Sequence, residues 1–171
     1  ATVALAEGVE GLRAFRLELF RPLKPMLAGT AGGVDEALER TGAAALEWKL
    51  DGARLQAHRL GDGVRAYTRS LAEVTDRVPE VVEAVSGLPV ERVGLDGEVI
   101  ALRPDGRPHP FQVSMSRFGS SRAEVTVSLT PFFFDCLHAD GDDLLDLPAA
   151  ERTAVLERVV PAPLRTERLV T

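Results

Sequence analysis

The chain has 171 residues, of which 45% are hydrophobic, and it carries a formal net charge of −6. This length suits one domain with a sizeable core, and the negative charge argues against a surface that grips nucleic acid by bulk charge alone. The single cysteine, Cys136, allows no internal disulfide, and no apolar run approaches the ~20 residues that a membrane span needs. We therefore expect an intracellular protein in which Cys136 is a core residue.

The N-terminal region is predicted to be a helix followed by an extended segment. Residues 1–20 are expected to be mostly helical, with an apolar stripe of Leu12, Phe15, Leu19 and Phe20. This helix has little to pack on locally, so we expect it to be the tail of another domain. Two prolines then predict an extended segment over residues 21–28, and a helix is expected from Val34 to Arg40, ending near Gly42.

The rest of the chain reads as short strands separated by turns and helices. The predicted strands cover residues 44–51, 54–60, 64–69, 94–102 and 125–138. The predicted helices cover residues 77–86 and 146–160, and a proline-rich loop covers 104–110. Hairpins and meanders interrupted by helices favour an antiparallel α+β fold over a doubly wound one. The histidines, His58, His109 and His138, have no metal-ligand spacing and are expected at the surface or in loops.

Lys49 stands out because lysine is scarce in this chain. The only other lysine is Lys24, and the remaining basic residues are arginines. Arginine stays protonated, whereas lysine can be driven to its neutral, nucleophilic form. In residues 46–51 apolar and charged side chains alternate, so Glu47 and Lys49 are predicted to face the same cleft. The alternative is an ordinary solvent-facing strand with paired charges.

Three further polar or aromatic positions lie on predicted strands. Arg69 is expected on the strand that pairs with that of Arg54, so both guanidiniums could face one anion. Glu98 lies among apolar residues and needs a hydroxyl, a metal or an arginine as partner. Phe134 could stack on a purine. The alternatives are solvated arginines, an edge-strand glutamate in water, and core packing of the phenylalanine.

These positions fall in motifs that resemble those of a known family. Lys49-Leu50-Asp51-Gly52-Ala53-Arg54 resembles the Lys-x-Asp-Gly-x-Arg signature of covalent nucleotidyltransferases, namely DNA ligases, RNA ligases and mRNA capping enzymes. The next family motifs are resembled, in family order, by Thr68-Arg69-Ser70, Asp96-Gly97-Glu98 and Phe134-Asp135-Cys136-Leu137. Residues 22–28 and 134–152 look like ATP-dependent DNA ligases of the archaeal, eukaryotic and actinobacterial kind. The resemblance covers roughly residues 8–160.

The resemblance implies an adenylation domain of the nucleotidyltransferase, ATP-grasp-like fold. Residues 21–171 would be its N-terminal portion, and residues 1–20 the end of an upstream DNA-binding domain or a linker helix. Lys49 would attack the α-phosphate of ATP, AMP would pass to the 5′-phosphate of nicked DNA, and the 3′-hydroxyl would seal the strand. Such an enzyme would act in DNA replication, repair or recombination, in the cytoplasm or at a bacterial nucleoid.

The resemblance also implies a role for each site residue. Glu47 would accept a hydrogen bond from the exocyclic amine of adenine, and Phe134 would stack on its ring. Arg54 and Arg69 would hold the ribose and phosphates and favour the neutral form of the attacking lysine. Glu98 would hold a ribose hydroxyl or a Mg²⁺ ion. ATP, Mg²⁺ and nicked double-stranded DNA are therefore the expected ligands of a monomeric enzyme.

Two departures from the family limit this expectation. Residues 138–171 contain neither the later Glu-Gly segment nor the Lys-x-Lys pair of the family, and we expect the family's OB-fold barrel to be absent from this chain as well. We therefore expect a truncated adenylation domain that does not seal nicks by itself. The alternatives are a capping-type or RNA-ligase nucleotidyltransferase, an NAD-dependent ligase, whose surrounding stretches match poorly, and a non-catalytic nucleotide-binding module.

Overall fold

The computed structural model describes residues 6, 8–11, 16–119 and 127–171. The strands are β1 (Ala45–Glu47), β2 (Ala53–Leu60), β3 (Gly63–Thr68), β4 (Arg92–Ala101), β5 (Leu129–Ala139), β6 (Asp142–Asp143) and β7 (Arg168–Val170). Five of them form an antiparallel sheet in the spatial order β3-β2-β4-β5-β6. The predicted antiparallel α+β class is confirmed.

Helices cover one face of this five-stranded sheet. They are α2 (Pro79–Ser86), α3 (Phe111–Gly119) and α4 (Ala149–Val159), whereas α1 (Val34–Thr41) has no buried residue. Val81 and Val85 of α2 and Leu156 of α4 join Leu55 and Leu95 of the sheet in one buried cluster. Burying an aliphatic side chain of this size contributes roughly 1.5–3 kcal/mol, so this face holds most of the core. Among the helices in the described ranges, none is long and apolar enough to cross a membrane.

The other two strands, β1 and β7, form a small antiparallel sheet of their own. Glu47 pairs with Arg168 and Leu46 with Leu169 in its register. The indole Nε1 of Trp48 donates a hydrogen bond of 3.3 Å to Glu167 beside this sheet. The pairing brings a segment near the end of the chain next to the residues that precede Lys49.

A segment without regular secondary structure, residues 16–24, crosses the second face of the five-stranded sheet, and we call it the strap. The backbone N–H of Leu17 donates to Asp143 of β6 at 2.7 Å. Further along, the N–H of Leu23 donates to the side-chain carbonyl of Gln56 on β2 at 3.0 Å. The strap therefore spans from one edge strand towards β2 and leaves the far end of this face open.

Most predicted elements are found, and the exceptions have physical reasons. The β2–β3 hairpin turns at Gly61, which has a φ of +59°, a conformation that favours glycine. The strand predicted over 44–51 ends at Glu47, because β1 pairs with β7 and β2 with β4, so the chain must cross between two sheets. The strand predicted from residue 125 begins at Leu129, and residues 125 and 126 lie outside the described part of the chain.

Two predictions about helices need correction, one for the N-terminal region and one for helix α3. Helical backbone is described at residues 6 and 8–11, but residues 16–20 are not helical, because they form the strap. Leu12 and Phe15 of the predicted apolar stripe lie outside the described residues. Helix α3 was missed, although Phe111, Met115 and Phe118 follow helical spacing directly after Pro110.

The prediction that the histidines lie at the surface or in loops is wrong for two of them. His58 of β2 is fully buried, and His138 of β5 is 6% exposed. The strap covers His58, whose Nδ1 accepts a hydrogen bond of 2.9 Å from the backbone N–H of Phe20. Burial, and secondarily the nearby His138, lower the pKa of His58 to about 4.

This buried histidine should make the stability of the fold depend on pH. The unfolded chain takes up a proton at His58 near pH 6.5, whereas the folded chain does so only near pH 4. The contribution is therefore fully present above pH 6.5, and roughly 3 kcal/mol of stability is lost as the pH falls towards 4. Urea unfolding at pH 7.5, 6, 5 and 4 measures this loss.

The control separates His58 from the carboxylates, which also titrate in acid. His58→Asn keeps a hydrogen-bond acceptor near Phe20 and should reduce the slope between pH 6.5 and 4. Part of the slope should remain, because burial also lowers the pKa of His138. The same test on His109→Gln, in a partly exposed loop, should leave the slope unchanged. Equal slopes for the wild type and His58→Asn would rule out this assignment.

Candidate active site

All six residues predicted for the site line one cavity of about 340 Å³. They are Glu47, Lys49, Arg54, Arg69, Glu98 and Phe134. Met26, Leu27 and Ala28, which follow the strap, complete part of its wall. This smaller cavity lies at the end of the sheet face that the strap leaves open, and its volume is in the range of small-molecule sites.

A larger cavity of about 850 Å³ adjoins the smaller one and shares Lys49, Arg54, Arg69 and Glu98 with it. Its opposite wall is apolar and comes from helix α3, namely Phe111, Met115 and Phe118. The second lysine, Lys24, also lines it. Lys49 therefore lies where the smaller cavity, which Phe134 lines, meets the larger cavity, which helix α3 lines.

Lys49 lies in the crossover between the two sheets, residues 48–51, which has no regular secondary structure. Its side chain is exposed, and Nζ lies 3.4 Å from the carbonyl oxygen of Leu50. Glu47 and Lys49 do face the same cavity, as the alternation predicted, but not as part of one strand. The amine is thus accessible to a ligand in either cavity.

Arg54 is held by a carboxylate that the sequence reasoning did not assign to the site. Its Nε and Nη2 donate to the two carboxylate oxygens of Asp96 at 3.1 and 2.7 Å, which is a bidentate pair. The Arg54 guanidinium also lies over the ring of Phe134, 5.4 Å from its centroid. Burial raises the pKa of Asp96, and the hydrogen bond from Arg54 opposes this shift. The pair fixes the guanidinium in the cavity wall.

Glu98 has a backbone partner instead of the hydroxyl, metal or arginine that its apolar surroundings predicted. Its Oε1 accepts a hydrogen bond of 3.0 Å from the N–H of Gly52. Arg54 and Glu98 are directly opposite each other on β2 and β4, yet the arginine bonds Asp96. Glu98 therefore ties the Lys-x-Asp-Gly crossover to the sheet, and among the described residues its Oε2 has no hydrogen-bond partner.

Glu47 is paired with an arginine that no sequence motif suggested. Arg168 of β7 donates from Nε to Oε1 of Glu47 at 2.6 Å, and its Nη2 contacts the same oxygen. Nη2 also donates to the backbone carbonyl of Phe134 at 3.0 Å. The two residues are 121 positions apart, so only the β1–β7 pairing reveals this contact.

Arg69 lies one residue beyond the end of β3 and is exposed. The β2–β3 register ends with Leu55 opposite Thr68, so Arg69 follows at the level of Arg54, close to its predicted place. Both guanidiniums line the two cavities, but that of Arg54 is already paired with Asp96. Arg69 is therefore the more available of the two for an anionic ligand.

Buried polar contacts hold helix α3 in place as the wall of the larger cavity. The Ser114 hydroxyl accepts a hydrogen bond of 2.9 Å from the N–H of Ala101. Arg117, 6% exposed, pairs with both carboxylate oxygens of Glu80 at 3.0 Å. Removing one partner of such a charge pair would leave the other charge uncompensated and would destabilise the fold. The pair therefore holds the helix in place.

Cys136 is a core residue, as the sequence predicted. It is fully buried, and burial raises the pKa of its thiol to about 12. A thiol with such a pKa is a poor nucleophile at neutral pH. The candidate nucleophile of this face of the sheet is therefore the exposed amine of Lys49.

Comparison with known sequences places these features in a family. The model of the family described as "ATP dependent DNA ligase domain" matches residues 25–170. A protein of Anaeromyxobacter sp. (strain K) named "Probable DNA ligase" is 57% identical over 176 residues, which cover 100% of this chain and 34% of that protein. A protein of Mycobacterium sp. (strain KMS) with the same name is 56% identical, over 100% of this chain and 33% of its own length. The chain thus spans about a third of these relatives.

Two solved structures share the fold. The ligase domain of LigD from M. tuberculosis has a TM-score of 0.53 and 28% identity, and the match covers 68% of this chain and 36% of that one. A mycobacterial DNA ligase D complexed with ATP and MES has a TM-score of 0.54 and 24% identity, over 74% of this chain and 40% of that one. The second likeness concerns the fold alone.

Proposed function

The chain belongs to the family of ATP-dependent DNA ligase domains, and from that premise we propose that it supplies the nucleophile and most of the nucleotide-binding surface of a DNA ligase. The observation that carries this proposal is the cavity in which Glu47, Arg54, Arg69, Glu98 and Phe134 surround the exposed amine of Lys49. A lysine at such a place suits covalent nucleotidyl transfer better than simple ligand binding.

In the proposed first step, the neutral amine of Lys49 attacks the α-phosphorus of ATP. An N–P bond forms, the P–O bond to the β-phosphate breaks, and pyrophosphate leaves with the bonding electron pair. The ammonium must first lose a proton to solvent, which the exposed position of Nζ allows. The product is a lysine-linked adenylate, and its formation needs Lys49 beside the phosphates in line with the leaving group.

The remaining groups of the cavity would bind and orient the nucleotide. Phe134 would stack on adenine, and the Oε2 of Glu47 would accept a hydrogen bond from its amine. Arg69 would contact the phosphates, and Arg54, fixed by Asp96, would present Nη1 to the ribose or phosphate region. The stacking contact, the hydrogen bond to the base and the two guanidiniums would together leave the nucleotide little orientational freedom.

Glu98 could supply one carboxylate ligand to a divalent ion. Mg²⁺ is commonly bound by one or two carboxylates together with waters and substrate phosphates. Among the described residues the Oε2 of Glu98 has no hydrogen-bond partner, so it could provide one such ligand or contact a ribose hydroxyl. A bound Mg²⁺ would neutralise charge that develops on the phosphates. The remaining ligands would come from the nucleotide and water.

The later steps of the proposed reaction require more than this chain. AMP would pass from Lys49 to the 5′-phosphate of nicked DNA, and the 3′-hydroxyl would displace it and seal the strand. We assign residues 21–171 to the N-terminal part of the adenylation domain and residues 1–20 to a preceding domain or linker. Because the later family motifs are not found in residues 138–171, we propose that this chain alone does not seal nicks.

Covalent labelling tests the proposal directly. The full-length parent and the 171-residue chain are incubated with ATP and Mg²⁺, denatured, digested and analysed by mass spectrometry. We expect an AMP adduct on the peptide that contains Lys49 in the parent, and no sealing of a nicked duplex by the chain alone. An adduct formed with GTP but not ATP would favour a capping-type enzyme instead. No adduct with either nucleotide would favour a non-catalytic binding module.

A further inference from the structure

Arg168 of β7 connects three parts of the fold, and two of its partners, Glu47 and Phe134, line the smaller cavity. Its guanidinium contacts the carboxylate of Glu47 on β1, the backbone carbonyl of Phe134 on β5 and the hydroxyl of Thr153 on α4. The side chain is only 16% exposed. An arginine with this many partners is held in one orientation, and it in turn restrains the groups that it contacts.

The first consequence concerns the direction in which Glu47 presents its free oxygen. Both contacts from Arg168 go to Oε1, so among the described residues Oε2 has no protein hydrogen-bond partner. The backbone of Glu47 is also fixed opposite Arg168 in the β1–β7 register. The carboxylate is therefore held with one oxygen occupied and the other available to a ligand.

The second consequence concerns the position of Glu47 relative to the backbone of Phe134. Nη2 of Arg168 bridges Oε1 of Glu47 and the carbonyl oxygen of Phe134, the latter at 3.0 Å. A flat base stacked on Phe134 would therefore meet Glu47 at a fixed edge. Lysine could not form this bridge, because its single ammonium lacks the planar fork of arginine.

We propose that Arg168 is a positioning residue that sets the purine selectivity of the nucleotide site. The inference rests on the proposed function, in which Glu47 and Phe134 hold the base. An ionised carboxylate only accepts hydrogen bonds, so it favours the amine of adenine and repels the carbonyl oxygen that guanine carries at the same position. With Arg168 in place, the Glu47 carboxylate is held in one orientation, and adenine is selected over guanine.

The test uses the full-length parent with Arg168→Lys and Arg168→Ala. We expect KM for ATP to rise about tenfold or more and the ATP-to-GTP ratio of kcat/KM for adduct formation to fall by a similar factor. The kcat for ATP should change far less, since Arg168 does not itself line the cavity that contains Lys49. Arg165→Ala is the matched control, because Arg165 pairs with Glu157 at 3.6 Å, whereas Arg168 pairs with Glu47.

A double substitution separates positioning from general structural support. If Arg168 acts through Glu47, then Arg168→Ala should have little further effect on selectivity in a Glu47→Gln background. Equal losses of kcat and of selectivity in both backgrounds, or a fall in Tm that accounts for the loss of activity, would overturn the proposal. An unchanged KM and ATP-to-GTP ratio in Arg168→Lys and Arg168→Ala would do the same.

A binding measurement distinguishes failure of this inference from failure of the proposed function. Calorimetric titration with ATP and with GTP, in the presence of EDTA, measures selectivity without any chemistry. If the wild type binds ATP but forms no adduct, the proposed function fails and the Arg168 variants still decide the inference. If the wild type binds ATP and GTP equally, the inference fails whatever the adduct assay shows.

Discussion

Replacing Lys49 with arginine in the full-length parent should abolish the covalent adenylate and, with it, nick sealing. Arginine keeps the positive charge and much of the length of lysine, but its guanidinium is not deprotonated in proteins and cannot attack phosphorus. We expect a loss of at least about 10⁴-fold, of the order seen when a catalytic nucleophile is removed. The measurement is single-turnover adduct formation with radiolabelled ATP, followed by gel electrophoresis.

The chain offers a matched control for this experiment. Lys24 is the only other lysine in the chain and lines the same larger cavity as Lys49. Lys24→Arg should therefore retain the adduct, and mass spectrometry should still find AMP on Lys49. If Lys49→Arg were labelled as fast as the wild type, or if Lys24→Arg alone removed the label, Lys49 would not be the nucleophile.

The second large effect is expected from Gly52→Ala, which changes the crossover next to Lys49. A Cβ at Gly52 would collide with the backbone carbonyl oxygen of Val99 and would lie 2.8 Å from Cγ1 of Ile100. Because the closest atom belongs to the backbone of β4, relief requires the crossover or the strand to move. The movement would also break the hydrogen bond from Gly52 to Glu98.

We expect Gly52→Ala to lower the free energy of unfolding by about 1–3 kcal/mol and to slow adduct formation by more than tenfold, since Lys49 would be displaced. Urea unfolding and single-turnover labelling measure the two effects. Gly29→Ala is the control, because a Cβ there meets nothing within 4 Å. A Gly52→Ala protein as stable and as active as Gly29→Ala would show that the close approach to β4 is not required.

The motifs from which the site residues were predicted are local in the sequence. Lys49, Arg54, Arg69, Glu98 and Phe134 each lie in a short motif, and all line the smaller cavity together with Glu47. Their roles in binding and catalysis remain predictions that the experiments above address. The motifs have fixed places because hairpin pairing sets the register of β2, β3 and β4, and alternation sets which side chains share a face.

The partners of these side chains were not predictable, because they come from distant segments. Arg54 was expected to face an anion, yet it is paired with Asp96 across the β2–β4 register. Glu98 was expected to need a charged or hydroxyl partner, yet the N–H of Gly52 satisfies one oxygen. In each case several partners are chemically equivalent in sequence, and only the folded distances select one.

The sequence by itself determined the antiparallel α+β class, the nucleophile candidate and the family, because these depend on residue type, local periodicity and motif order. Only the tertiary structure decided that the strand predicted over 44–51 divides at a crossover between two sheets, that the strap buries His58, and that Arg168 holds Glu47. These features depend on pairing between segments far apart in the chain. Local alternation and propensity carry no information about which distant strand a segment will pair with.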